Sequence, residues 1–86
     1  MGNFHFSKHL TEEIERRKIP KELIERVLQA PEQKTPEVDN IICYQSQLEI
    51  DGKRYLLRVM VNETVEPPVV VTAYQTSKIT KYWRKP

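Results

Sequence analysis

Residues 41–62 read IICYQSQLEI-DG-KRYLLRVMVN, two period-two runs on either side of Asp51-Gly52. Asp-Gly favours a two-residue type I′ turn, whose positive φ angles match the twist of paired strands. The turn predicts a hairpin of Ile41–Ile50 with Lys53–Asn62 and sets its register: Ile50 opposite Lys53, Leu48 opposite Tyr55, Ser46 opposite Leu57, Tyr44 opposite Val59. These residues, with Val61, form one largely apolar face, assigned to the core. The opposite face pairs Glu49 with Arg54, Gln47 with Leu56, Gln45 with Arg58 and Cys43 with Met60. It is mixed and polar, and is expected to be open.

Upstream of the hairpin the period changes. Phe6, Leu10 and Ile14 recur every four residues, predicting a helix over about Ser7–Lys18 with Ser7 as its cap. Pro20 bars its continuation and suits the first turn of a second helix, Pro20–Gln29, with an apolar stripe of Leu23, Ile24, Val27 and Leu28. A short strand near Thr35–Val38 is a weaker signal. Downstream, Glu66-Pro67-Pro68 breaks the chain before a β-branched strand, Val69–Tyr74, in which alternation puts Thr72 and Tyr74 on the face of Val70. The expectation is a single α+β domain over residues 1–86. An N-terminal helical hairpin packs on a three- to four-stranded antiparallel sheet, with a short C-terminal helix or tail. No long crossover is evident.

A chain of 86 residues builds one modest core and cannot cover both faces of a sheet. No apolar run nears a membrane span, the first residues lack a signal-peptide pattern, and the single cysteine, Cys43, suits a reducing, cytoplasmic setting. Residues 1–39 carry seven basic and eight acidic side chains, whereas residues 40–86 carry seven and four, with no acid after Glu66. Lys78, Lys81, Arg84 and Lys85 thus form a cationic tail that attracts RNA or an acidic protein, or is simply solvated.

Several side chains could carry chemistry. His9 is a candidate acid or base, or a helix histidine packing on the sheet. Arg58, mid-strand, could hold a phosphate, or pair with Gln45 or Glu49. Tyr74, Ser77 and Lys78 could bond a phosphate and protonate a leaving oxygen, or mark a strand end. Lys81, Tyr82, Trp83 and Arg84 interleave aromatics with cations, as in a nucleic-acid surface or a terminal helix docking Ile79 and Trp83. Cys43 has no recognisable histidine partner. No metal pattern, phosphate loop or cofactor fingerprint occurs, so any enzyme here is expected to use neither metal nor cofactor.

Phe6-x-x-His9, Arg17-x-Ile19, Leu28-Gln29-Ala30-Pro31, the Asp51-Gly52 hairpin and Val70-Val71-Thr72-Ala73-Tyr74 together resemble a small bacterial domain family of formerly unknown function. That family is often encoded beside short antitoxin-like genes. In layout it is similar to the RelE and BrnT toxins of the barnase–EndoU–colicin–RelE superfamily of metal-independent ribonucleases. The resemblance implies the toxin of a toxin–antitoxin system, an endoribonuclease of the mRNA-interferase kind that leaves a 2′,3′-cyclic phosphate. Its partners would be RNA and a small antitoxin protein, with no membrane involved. It matches His9, Arg17, Thr72 and Tyr74 to family positions. Two departures stand out: Glu13 where many members carry arginine, and Lys18 where glycine is common. The lost arginine shifts phosphate binding to Arg58 and Lys78. The expected catalytic set is His9, Arg58, Tyr74 and Lys78, with RNA held by Arg17, Thr72, Ser77, Lys81, Tyr82 and Arg84. On this expectation Arg58→Ala abolishes activity and leaves the fold intact. The alternative is a non-catalytic RNA- or antitoxin-binding module. A third possibility is a purely structural interaction domain.

Overall fold

The computed structural model describes residues 3–85. The chain order is β1 (His5–Phe6), α1 (Lys8–Arg16), α2 (Lys21–Gln29), β2 (Gln33–Pro36), β3 (Ile41–Ile50), β4 (Lys53–Asn62), β5 (Val69–Thr76) and α3 (Ile79–Tyr82). The strands form one five-stranded sheet in the order β1-β5-β4-β3-β2.

The central hairpin follows the turn chemistry. Asp51 and Gly52 both have positive φ, and the β3–β4 register runs from Ile41 opposite Asn62 to Ile50 opposite Lys53, as the Asp-Gly turn requires. Tyr44, Leu57 and Val59 face the helices. Leu10, Ile14, Ile19, Ile24, Val27 and Leu28 pack onto them, with Val61, Val70 and Ala73 completing the core. α1 packs mainly on β5, and α2 on β4 and β3. The helical pair thus spreads across one sheet face.

Three expectations are corrected. The sheet is mixed and five-stranded, because β1 joins it parallel to β5 through His5 opposite Val69 and Phe6 opposite Val70. A two-residue strand has no periodicity to read, and its partner lies some sixty residues downstream, so the whole intervening chain serves as the crossover. Phe6 therefore belongs to β1, and α1 begins only after Ser7, whose Oγ accepts the Leu10 N–H at 3.1 Å. Second, β5 is bulged. Val70 pairs with Val61 and Thr72 with Met60, leaving Val71 extra. The alternation slips by one, so Val70 shares its face with Ala73 and not with Thr72 and Tyr74. Third, the polar face of the hairpin is not open along its centre. Cys43, Gln45 and Leu56 are fully buried and Arg58 is 5% exposed, because the C-terminal segment folds back over them.

The end of α1 places Lys18 in a strained backbone position. The Lys18 N–H donates to Glu15 O and the Ile19 N–H to Ile14 O, the paired bonds of a Schellman cap. Lys18 occupies the left-handed position of that cap, with φ 57°. Glycine adopts this conformation freely, whereas a side chain there costs about 1–2 kcal/mol. Lys18→Gly is expected to stabilise the domain by about 1 kcal/mol, read as a rise in the urea midpoint without change in slope.

Candidate active site

The sheet register lines up four polar side chains across four strands. Gln33 on β2 lies opposite Gln45 on β3, Gln45 opposite Arg58 on β4, and Arg58 opposite Tyr74 on β5. The side chains are bonded in the same order. Arg58 Nη1 donates to the Tyr74 hydroxyl at 2.6 Å, and Arg58 Nε donates to Gln45 Oε1 at 2.9 Å. Gln45 Nε2 donates to Gln33 Oε1 at 2.8 Å and to the Tyr82 carbonyl at 3.3 Å. Glu37, from the loop after β2, accepts from Arg58 Nη2 at 3.3 Å and from the Thr35 hydroxyl at 3.1 Å. A guanidinium this deep needs both its charge and its donors matched. Glu37 supplies the charge, and Gln45 and Tyr74 accept from the other two nitrogens. Burial acts against the charged form of Arg58, but the Tyr74 bond and the neighbouring negative charge outweigh it, so its pKa lies above the ordinary value.

The C-terminal segment closes over this row. The Tyr82 ring lies 4.3 Å from the guanidinium carbon of Arg58 and meets the Tyr74 ring edge-on, with centroids 6.4 Å apart. Arg84 is bound through its backbone, its N–H donating to Gln33 Oε1 at 3.1 Å and its carbonyl accepting from Gln33 Nε2. The two tyrosines differ in acidity. Burial pushes the Tyr74 hydroxyl up against the pull of Arg58, and neighbouring Tyr82 adds to the rise. The Tyr82 hydroxyl is pushed down, chiefly by Lys81, whose Nζ is 5.2 Å from the ring centroid, and also by Tyr74 and Arg58. A pair of like groups driven apart in this way offers one proton donor and one proton acceptor.

The remaining candidates divide. His9, Arg17 and Thr72 gather around Glu13 at the outer edge of β5, away from the row. Glu13 accepts from the Thr72 hydroxyl, and it lies 3.3 Å from both His9 Nε2 and Arg17 Nη1. The Thr72 bond, opposed by burial and aided by Arg17 and His9, holds the Glu13 carboxyl below its ordinary pKa. Arg17 Nη1 also donates to the Ala73 carbonyl at 2.7 Å. β1 is too short to pair β5 past Val70, and these bonds from α1 occupy the edge it leaves. Glu13 thus anchors α1 to this edge. Ser77, Lys78 and Lys81 are exposed around α3. Burial pushes the Cys43 thiol up, which leaves it inert. Among the described residues no group of three His, Cys, Asp or Glu side chains could hold a metal, and no helix is long and apolar enough to cross a membrane.

Sequence reasoning overlooked Gln33 and Glu37 as partners in this site; it offered Gln45 or Glu49 for Arg58, and the bond is to Gln45 while the carboxylate is that of Glu37. The hairpin register already set Gln45 against Arg58. The positions of Gln33 and Glu37 follow from β2, which had only a faint signal. Arg58, expected as an open-face residue dispensable for folding, is a buried one with four protein partners. Arg58→Ala would leave Gln45 and Glu37 facing a void. It is expected to cost about 2–4 kcal/mol in urea unfolding, with Arg58→Lys losing less because one amine keeps part of the contact.

The family model for a domain of unknown function, DUF4258, matches residues 6–75, and the chain belongs to that family. No curated protein and no solved structure matches it. The match takes in His9, Arg17, Arg58, Thr72 and Tyr74. It stops short of Ser77, Lys78, Lys81, Tyr82 and Arg84.

Proposed function

Starting from that membership, we propose that the domain is a toxin-type endoribonuclease of RelE/BrnT-like layout that cleaves RNA without a metal ion. The observation that carries this reading is the pair of tyrosines gathered on Arg58, one bonded to its guanidinium through the hydroxyl and the other with its ring over it, the two rings meeting edge-on. Cleavage within RNA needs only such a pair and nearby cations, because the attacking group is the substrate's own 2′-hydroxyl. Tyr82, as phenolate, takes the 2′-hydroxyl proton. The 2′-oxygen then bonds to phosphorus and the bond from phosphorus to the 5′-oxygen breaks. Tyr74 gives its proton to the departing oxygen. Its hydroxyl is suited to this, since it accepts from Arg58 and so keeps its own hydrogen available. The products are a 2′,3′-cyclic phosphate and a 5′-hydroxyl. Lys81, whose Nζ is 5.2 Å from the Tyr82 ring, and the exposed Lys78 just before α3 supply charge for the phosphate. Arg58 orients both tyrosines and does not itself bind phosphate. His9, beside Glu13, is the competing proton acceptor. Held in check inside the cell, such an enzyme would be bound by a small acidic antitoxin protein.

A second reading, a non-catalytic RNA- or antitoxin-binding module, is favoured by the state of Arg58, each of whose nitrogens already donates to a protein acceptor. RNA incubated with the protein in excess chelator separates the two. The ribonuclease reading expects cyclic-phosphate ends and a rate that climbs as Tyr82 ionises and falls again above the raised pKa of Tyr74, an optimum on the alkaline side of neutral. Tyr74→Phe should lower the rate by about a hundredfold or more, and His9→Gln should leave most of it. Cleavage only with added metal, or salt-sensitive binding with no cleavage at all, contradicts it.

A further inference from the structure

A groove of about 550 Å³ runs between β2 and the segment that follows α3. Its walls include Gln33, Thr35 and Pro36 on one side and Trp83, Arg84 and Lys85 on the other. Two further charged residues border it, and both are engaged elsewhere. Glu32 Oε1 accepts the Gln47 N–H at 2.8 Å. Lys34 Nζ is 3.3 Å from Glu63 and sits over the Tyr44 ring. Arg84 and Lys85 are exposed, and neither meets a carboxylate within salt-bridge distance among the described residues. The groove therefore combines an aromatic wall with two cations outside any ion pair among the described residues, and a single carboxylate, Glu32, at its border.

Trp83 is held in place from both sides. Its backbone N–H donates to the Ile79 carbonyl at 2.8 Å, and the backbone of the next residue is clamped by the Gln33 amide. The indole, half-buried, lines the groove one residue from Tyr82 of the reacting pair. A rigid aromatic beside free cations is the arrangement that stacks an unpaired base and holds its phosphate. A volume of this size suits a ligand on the scale of one nucleotide and not a helix. A duplex keeps both faces of each base stacked on its neighbours and has none to offer.

We propose that this groove is a subsite for an unpaired nucleotide of single-stranded RNA next to the scissile bond, with the base on Trp83 and the phosphate on Arg84 and Lys85. The proposal rests on the ribonuclease reading for its position, and its test is separate. Trp83 is the only tryptophan, so intrinsic fluorescence reports on this site alone. The probe is a short 2′-O-methyl oligouridylate, which lacks the attacking hydroxyl and cannot be cleaved. Saturable quenching that weakens with salt is expected, with little from a duplex of equal length. With a labelled oligonucleotide, Trp83→Ala should bind about 5- to 100-fold more weakly and Trp83→Phe less so, if both keep the wild-type circular dichroism. Should Trp83→Ala misfold, Trp83→Phe and quenching of the wild-type protein decide the matter. Binding without quenching, equal quenching by duplex, or quenching by polyglutamate but not by RNA overturns the proposal. Quenching without cleavage of ordinary RNA would count against the ribonuclease reading alone. Cleavage without quenching would count against the subsite alone.

Discussion

A positive charge sits in the middle of this sheet, and much of the structure is arranged to keep it there. Arg58 on β4 is nearly inaccessible, and a guanidinium in that position is tolerable only with every nitrogen engaged and a counter-charge close by. The requirement recruits a residue from each neighbouring strand, Gln45 from β3 and Tyr74 from β5, and brings in Glu37 from the loop after β2. Gln45 passes the demand on to Gln33. In a low-dielectric interior such a chain polarises bond by bond, so its parts support one another. The outcome is a polar row fixed by strand register on the face opposite the hydrophobic core.

The row also determines where the C-terminus goes. Gln45 and Gln33 use their remaining amide groups on the backbone at Tyr82 and Arg84, so the segment after β5 is drawn back across the sheet. That return sets Tyr82 over Arg58 and beside Tyr74, and it opens the groove along β2. Thus one buried cation connects packing to the candidate chemistry. It holds the ring positions of both tyrosines, while burial raises the Tyr74 hydroxyl against its pull and Lys81 is the chief influence lowering that of Tyr82. On the other side of β5, Glu13, itself buried, does a comparable job. It lashes α1 to a strand edge that β1 is too short to cover.

Much of this was legible in the chain. Asp51-Gly52 fixed the register of ten residue pairs, and with it the apposition of Gln45 and Arg58. The helices were legible from four-residue spacing and from Ser7 and Pro20. What stayed hidden depends on contacts far apart in sequence. β1 has two residues and pairs with a strand near the other end of the chain. The bulge at Val71 is a property of the β4–β5 pairing and leaves no mark in a run of valines. The covered centre of the polar face depends on the return of the C-terminal segment, which in turn depends on Gln33. Strand alternation identified Arg58 and Tyr74 as candidates, and the interleaving of aromatics with cations identified Tyr82. Only the fold distinguishes an arginine that orients tyrosines from one that meets a phosphate. Lys18 belongs with these: its left-handed backbone, which glycine would adopt freely, is seen only in the structure.

The claim that matters most is that burial of Tyr74 and the Lys81 cation beside Tyr82 set the two hydroxyls apart, as the proposed proton donor and proton acceptor require. Carbon-13 labelling of the tyrosine Cζ atoms, with assignment by Tyr74→Phe and Tyr82→Phe, allows each hydroxyl to be titrated separately by NMR. Tyr82 should ionise at a pH below the ordinary phenol value and Tyr74 above it. Coincident titration of the two at the ordinary value, or Tyr74 ionising first, would contradict the account.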